Sequence, residues 1–361
     1  MNIRKATESY EKWKGARMRL IKSDIDHKHE AMASAVFPFF RATFYRWIQL
    51  WDEVCPDECK APSVLAVGDL HVENFGTWRD LEGRLIWGVN DFDETYPMAY
   101  TNDLVRLAVS AHLSVEEEEI ELHIRYASDA ILESYREGLE SGGRAFVLAG
   151  NNKWLRDIAL NRLRDPVRFW NKAENLPEFH GPIEDDIKRQ LEADLPEKNL
   201  PYLKKRRVAG LGSLGHLRVL ALARWRGGWI AREAKALAPS ACIWAHGGAK
   251  SEKILYPEII SRAVRVKDPF FRVYGNFLVR RLAPDCSRIL MASLPKDRDE
   301  SQLLKAMGFE TANVHLGSPE AIPAILRDLK KRPDRWLHKA AKKMLKTIRR
   351  DWKKWCKDYK A

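Results

Sequence analysis

Residues 64–94, VLAVGDLHVENFGTWRDLEGRLIWGVNDFDE, constrain this chain more than any other stretch. An apolar run, residues 64–67, ends at Gly68 and is followed by Asp69-Leu70-His71-Val72-Glu73-Asn74. The pattern predicts a buried strand that delivers an acid and an amide to a loop. After a turn at Asp80-Leu81-Glu82-Gly83, a second apolar run, residues 85–89, delivers Asn90-Asp91-Phe92-Asp93-Glu94. Two strands would thus carry carboxylates to one end. The next segment, residues 100–108, has helical spacing and places Asp103 near its start, where the helix dipole favours a carboxylate.

This arrangement suits phosphoryl transfer, which needs one carboxylate to orient a hydroxyl and an Asn and a second Asp to hold magnesium against the phosphate charge. Asp69 fits the first role, with His71 beside it as a further catalytic candidate. Asn74 and Asp91 fit the metal roles, with Asp93 assisting. Each fragment alone has an ordinary structural reading: an Asp-Asn pair in a loop is commonly turn chemistry, and Asp103 could be a plain helix-start acid. The functional reading rests on both elements occurring in order at strand ends.

The segment at 206–236 has a different character. Gly210-Leu211-Gly212-Ser213-Leu214-Gly215 precedes an alternating apolar run, a turn at Arg226-Gly227-Gly228, and Trp229-Ile230-Ala231-Arg232-Glu233. A dinucleotide-binding glycine loop must open a helix. Here a β-prone run follows, so the pattern predicts a hairpin, either a plain tight one or one whose glycine loop covers nucleotide phosphates. Gly210, Gly212, Ser213 and Gly215 would then line the phosphates, and Arg232 or Lys235 would counter their charge.

The pattern D-x-x-x-x-N followed by D-F-x resembles the catalytic and metal loops of protein kinases. The wording G-D-L-H-x-x-N and D-F-D-E is similar to the aminoglycoside and choline phosphotransferase branch of that superfamily. Most specifically, V-G-D-L-H-x-x-N-F-G, N-D-F-D-E-T, D-L-V-R-L-A-x-S and the segment MASAVFPFFR at 32–41 resemble a bacterial family, domain of unknown function 2252. The resemblance covers residues 30–115 well and 205–290 loosely. It implies an α+β, helix-rich, protein-kinase-like two-lobed fold that uses ATP and Mg2+, with Asp103 bracing the catalytic loop. Arg232 stands where the family wording has a lysine, and an arginine fork is not equivalent to a compact ammonium. The glycine loop of a protein kinase precedes its catalytic loop, whereas here it follows, so the fold would be circularly permuted. Three regions are expected: 1–204 with the catalytic and metal loops, 205–300 with the glycine loop, and 301–361 with C-terminal helices.

Periodicity elsewhere predicts two helices in residues 5–55, the second with an aromatic stripe that belongs to the core. A capping box at Ser114–Glu117 predicts a helix to about Leu139; its glutamates, 116–119, suit helix capping better than metal binding. Residues 250–264 read as a helix and 270–282 as strands. His315 is a site candidate, although a lone histidine is more often structural. Five scattered cysteines fit free thiols in a reducing compartment. No run spans a bilayer and the N-terminus lacks a signal-peptide core, so a cytoplasmic protein is expected.

Charge is uneven: residues 327–361 hold 15 Lys and Arg against 4 Asp, while the rest of the chain is nearly neutral. Within this tail, residues 334–359 form an amphipathic helical pattern. Its apolar face calls for docking on the body, and its basic face leaves open contact with nucleic acid or an anionic membrane. Rival functions are a pseudokinase or nucleic-acid-binding adaptor, and a metallophosphoesterase. The latter class also has a G-D-L-H motif but needs histidine ligands in settings this sequence lacks.

Overall fold

The computed structural model describes residues 1–117, 122–150, 152–162, 165–248, 252–289, 291 and 300–359. It is a mixed α+β structure with several antiparallel sheets. The N-terminal region forms four helices where periodicity predicts two: α1 (Ile3–Gly15), α2 (Lys22–Ser34), α3 (Val36–Ala42) and α4 (Phe44–Val54). The extra breaks have local causes. Ala35 is fully extended, with φ −157° and ψ 168°, and Thr43 leaves the helical region at φ −123° and ψ 40°. The bends let Phe39, Phe40, Phe44, Trp47 and Trp51 all reach the core.

Four strands follow: β1 (Ser63–Ala66), β2 (Phe75–Arg79), β3 (Leu85–Val89) and β4 (Tyr96–Ala99), then helix α5 (Tyr100–Glu117). The two apolar runs of the sequence become β1 and β3 but do not share a sheet. β1 pairs antiparallel with β4, while β3 forms a hairpin with β2. Helix α6 (Ile124–Ser141) begins at His123, whose Nδ1 accepts from Arg125 N at 3.2 Å. Ser114 lies in the last part of α5, so the capping box expected there is not a helix start; Glu118 and Glu119 fall outside the described residues. A short strand, β5 (Phe146–Val147), extends the β2–β3 pair.

Helices α7 (Lys153–Arg162), α8 (Pro166–Glu174) and α9 (Asp185–Ala193) lead to strands β6 (Tyr202–Arg206), β7 (Arg218–Trp225) and β8 (Gly228–Ala236). After α10 (Ala241–Ala245) and α11 (Tyr256–Arg262) come β9 (Arg272–Tyr274) and β10 (Phe277–Leu282). These five strands make one antiparallel sheet in the order β6-β7-β8-β10-β9. Alternation gives the sheet two faces. Ala221, Ala234 and Val279 pack on Ile187 and Leu191 of α9, whereas Leu220, Leu222, Ala231 and Leu282 pack toward Ala173 of α8.

The chain ends in α12 (Glu300–His315), α13 (Ile322–Lys331) and α14 (Trp336–Tyr359). α12 lies tightly against α6: a Cβ on Gly308 would stand 2.3 Å from the Ile131 carbonyl, so only glycine permits the approach. The apolar face of α14 docks on the body as its spacing predicts, burying Trp336, Leu337, Met344, Leu345, Ile348 and Trp355. Arg46 Nε also bonds Asp351 Oδ2 across this interface at 2.7 Å. No helix among the described residues is long and apolar enough to cross a membrane.

Candidate functional site

The loop after β1 is held from behind. Asp103 of α5 is fully buried and accepts hydrogen bonds from Val67 N at 2.7 Å and Gly68 N at 2.9 Å. Gly68 has φ +84°, and a Cβ there would lie 2.3 Å from the Glu94 carbonyl, which demands glycine. His315, the further site candidate, is also fully buried. Its Nε2 faces Asp103 Oδ2 at 3.0 Å and its Nδ1 faces the Tyr135 hydroxyl at 2.8 Å. It therefore supports the loop rather than lining the cleft.

One turn further along α5, Arg106 clamps Asp69. Its Nε donates to Oδ1 at 2.8 Å, and its Nη2 donates to Oδ1 and to the Phe40 carbonyl. The guanidinium lies 4.1 Å from the Phe40 ring centroid and 4.9 Å from that of Trp47. Among the described residues, only one carboxylate oxygen is held. The other, Oδ2, faces Gly212, where an added Cβ would stand 3.3 Å away. Burial raises the Asp69 carboxyl against the opposing pull of Arg106.

Asn74 links the two acidic loops, because its Nδ2 donates at 3.1 Å both to the Asp69 carbonyl and to the Asp91 carbonyl. Its Oδ1 remains as an acceptor. Burial alone would raise Asp91, but Lys235 leads the charges that hold it below the ordinary carboxylate range. Burial, then the neighbouring Asp91, pushes Asp93 up to about 6. Asp93 Oδ2 pairs with Lys235, while its buried Oδ1 has no hydrogen-bond partner among the described residues. His71 Nδ1 accepts from Glu73 N at 3.2 Å; burial, then Arg41, keeps the ring well below its usual pKa and therefore neutral.

The glycine segment lies over these residues. Gly210, Leu211, Gly212 and Ser213 line one cleft with Asp69, His71, Asn74, Asp91 and Asp93. Ser213 Oγ accepts from Arg218 Nη2 at 2.7 Å, and the Gly215 carbonyl accepts from Ile21 N at 2.9 Å, so the loop is tied at both ends. Lys235, at 2% exposure, reaches Asp91 Oδ1 at 3.5 Å. Arg232 is not brought to this cleft. It points from the opposite face of β8, donating to the Asp194 carbonyl at 2.9 Å with its guanidinium 4.5 Å from the Phe270 ring centroid. Positions 232 and 235 differ by an odd number, so on a strand they cannot share a face.

Several site residues lack a local sequence signal. Glu233, fully buried on the face of Lys235, pairs with Arg207, Arg218 and Arg280; burial opposes ionisation, but the three guanidinium groups hold it well below its usual value. A second and larger cavity, about 490 Å³ against about 40 Å³ for the first, opens between this sheet and residues 265–271 and 286–288. Asp91, Gly210 and Arg288 line both. The larger one also gathers Arg207, Arg265, Lys267 and Arg281, a setting suited to an anion.

Residues 19–163 match the model of a family described as an uncharacterized protein conserved in bacteria (DUF2252). The matched span contains Asp69, Asn74, Asp91, Asp93 and Asp103 and ends before the glycine segment. No curated protein and no solved structure matches the chain.

Proposed function

We propose that this protein is a magnesium-dependent, kinase-like phosphotransferase that moves a phosphoryl group from ATP to a hydroxyl, on a two-lobed kinase-like fold in circularly permuted order. One observation carries the reading. Asp69, Asn74, Asp91 and Asp93 meet a glycine loop and Lys235 that follow them by more than a hundred residues in sequence. Protein kinases place a glycine loop over the phosphates, a lysine on the third strand of the sheet, and an Asp and an Asn on the metal. Here the glycine segment joins the first two strands of a five-stranded sheet, and Lys235 is on the third.

The residues present fit Mg2+. Asn74 Oδ1, the Asp91 carboxylate and the unpartnered Asp93 Oδ1 are hard oxygen donors. No group of three or more His, Cys, Asp or Glu among the described residues is arranged to hold a metal. A magnesium site of two carboxylates and one amide, completed by water and phosphate oxygens, does not require one. When bound, Mg2+ would neutralise phosphate charge. Asp69 would orient the acceptor hydroxyl and take its proton on Oδ2, while Arg106 fixes Oδ1. The larger, arginine-lined cavity would hold the nucleotide and the smaller one the acceptor.

Calorimetric titration with ATP, with and without Mg2+, tests this. The parent should bind only the magnesium complex tightly, and Asp91→Asn should lose the metal dependence while remaining folded. Equal metal-dependent affinity in parent and variant would sink the assignment.

A further inference from the structure

The cleft that holds Asp69 also receives Lys14 from α1 and Lys28 from α2. They expose only 4% and 2% of their surface, and neither ammonium makes a hydrogen bond or ion pair among the described residues. Each instead lies near a tyrosine ring, Lys14 at 5.3 Å from the Tyr10 centroid and Lys28 at 5.6 Å from that of Tyr45. Burying an unpaired ammonium is costly, and this chain does it twice in one cavity. Burial, then repulsion from Lys28, lowers Lys14 to about 7, and burial lowers Lys28.

The acids nearby already have partners. Asp69 is bound by Arg106 and Asp93 by Lys235. Glu94 accepts from Ala241 N at 2.7 Å and from the Ser240 hydroxyl at 3.0 Å. His216 lines the same cleft. Its Nδ1 sits 2.8 Å from the Ala236 carbonyl and must donate there, which leaves Nε2 as an acceptor without a partner among the described residues. The cavity therefore offers two unused cations and an unused acceptor beside a carboxylate with a free oxygen.

We infer that the phosphoryl acceptor is a small molecule carrying an anionic group, carboxylate or phosphate, as well as the hydroxyl, with the anion seated on Lys14 and Lys28 and the hydroxyl at Asp69. The inference rests on the phosphotransferase reading for the word acceptor, but the lysine pair as an anion site stands on its own geometry. The lysines line a small cleft and expose almost no surface, so only a compact group can reach them.

Glycerol 1-phosphate, glycerate and glycerol serve as probes, titrated calorimetrically into the full-length protein first without nucleotide and then with Mg2+ and a non-hydrolysable ATP analogue. At least one anionic probe should bind while glycerol does not, and which one binds identifies the anion. Lys14→Gln and Lys28→Gln should each weaken that binding roughly tenfold or more, as expected for losing a charge-assisted contact, and leave the affinity for the nucleotide analogue unchanged. Should either variant fail to fold, the parent gives a second reading. At pH 8, anion binding should take up protons as the lowered Lys14, which faces Lys28, Glu94, Asp93 and Lys235, is recharged, seen as a binding enthalpy that depends on the buffer. Anions that bind no better than glycerol, unaffected variants, or no proton uptake would overturn the inference even if nucleotide binds. Lysine-dependent anion binding without any magnesium-nucleotide binding would instead overturn the phosphotransferase reading and leave the anion site in place.

Discussion

Asp103→Asn removes one charge and one acceptor from the loop that carries Asp69. The parent carboxylate takes hydrogen bonds from Val67 N, Gly68 N and His315 Nε2, all at 3.0 Å or less, in a place with no solvent exposure. An asparagine can present only one carbonyl oxygen there, and its NH2 group would face a donor. At least one of those N–H groups must lose its partner. An unsatisfied buried polar group costs about 1–3 kcal/mol. Against a typical total of about 5–15 kcal/mol, the variant should lose roughly a fifth of its stability. Urea unfolding followed by tryptophan fluorescence measures the loss. Amide hydrogen exchange should localise it, with Val67 and Gly68 exchanging faster. A change below about 0.5 kcal/mol, the usual range for a surface substitution, would refute the claim that this carboxylate holds the loop.

Further substitutions test the rest of the site. Lys235→Met should leave Asp91 and Asp93 facing each other without their shared cation and abolish magnesium-nucleotide binding. Arg232→Ala, on the other face of the strand, should leave that binding unchanged, and calorimetry on both variants separates the two positions. Glu310 is buried, accepting from Val89 N at 3.2 Å and from Asn313 Nδ2 at 2.8 Å, and burial raises it to about 7. A carboxyl raised on folding binds more protons in the native state, so the parent should lose stability as pH rises from about 4.5 to 7. Glu310→Gln should remove that loss, gaining up to roughly 3 kcal/mol on the parent across the window; parallel stability curves for the two proteins would contradict the argument. Deleting residues 334–361 uncovers the surface beneath α14, including Phe39, Phe40, Trp47 and Leu50, and should cause aggregation or early melting. A soluble truncation with an unchanged melting temperature would promote a polyanion-binding role for the basic face.

What the sequence reveals about this fold follows the range of the interactions involved. The runs at 64–67 and 85–89 are legible because strand burial is a local property, but their partners are not: β1 pairs with β4, which the pattern around Pro97 does not announce. β2 escapes because Phe75-Gly76-Thr77-Trp78-Arg79 follows the Asn74 loop directly, with no turn residues before it. Thr43 breaks a helix through its backbone, while its hydroxyl bonds the Phe39 carbonyl at 2.7 Å, as many uninterrupted helices allow. In the site, Asp69, Asn74, Asp91 and Asp93 share one short stretch and can be read together. Lys14, Lys28 and His216 come from distant elements, and only folding brings them into the same cleft. Strand parity could have favoured Lys235 over Arg232, since Lys235 shares a face with Glu233.

The C-terminal helix gives the protein an order of assembly. Arg46 meets Asp351 across 305 positions, and the Trp355 indole reaches the His29 carbonyl across 326. During synthesis, the segment bearing Asp69 leaves the ribosome long before the helix that seals its supporting core, and even before the glycine loop that roofs the cleft. At about 5–20 residues per second, the interval from residue 110 to residue 355 lasts on the order of tens of seconds. For that time the aromatic face of α3 and α4 lacks its final cover. A nascent chain of this design has reason to depend on chaperones, and closing such long loops makes its folding slow.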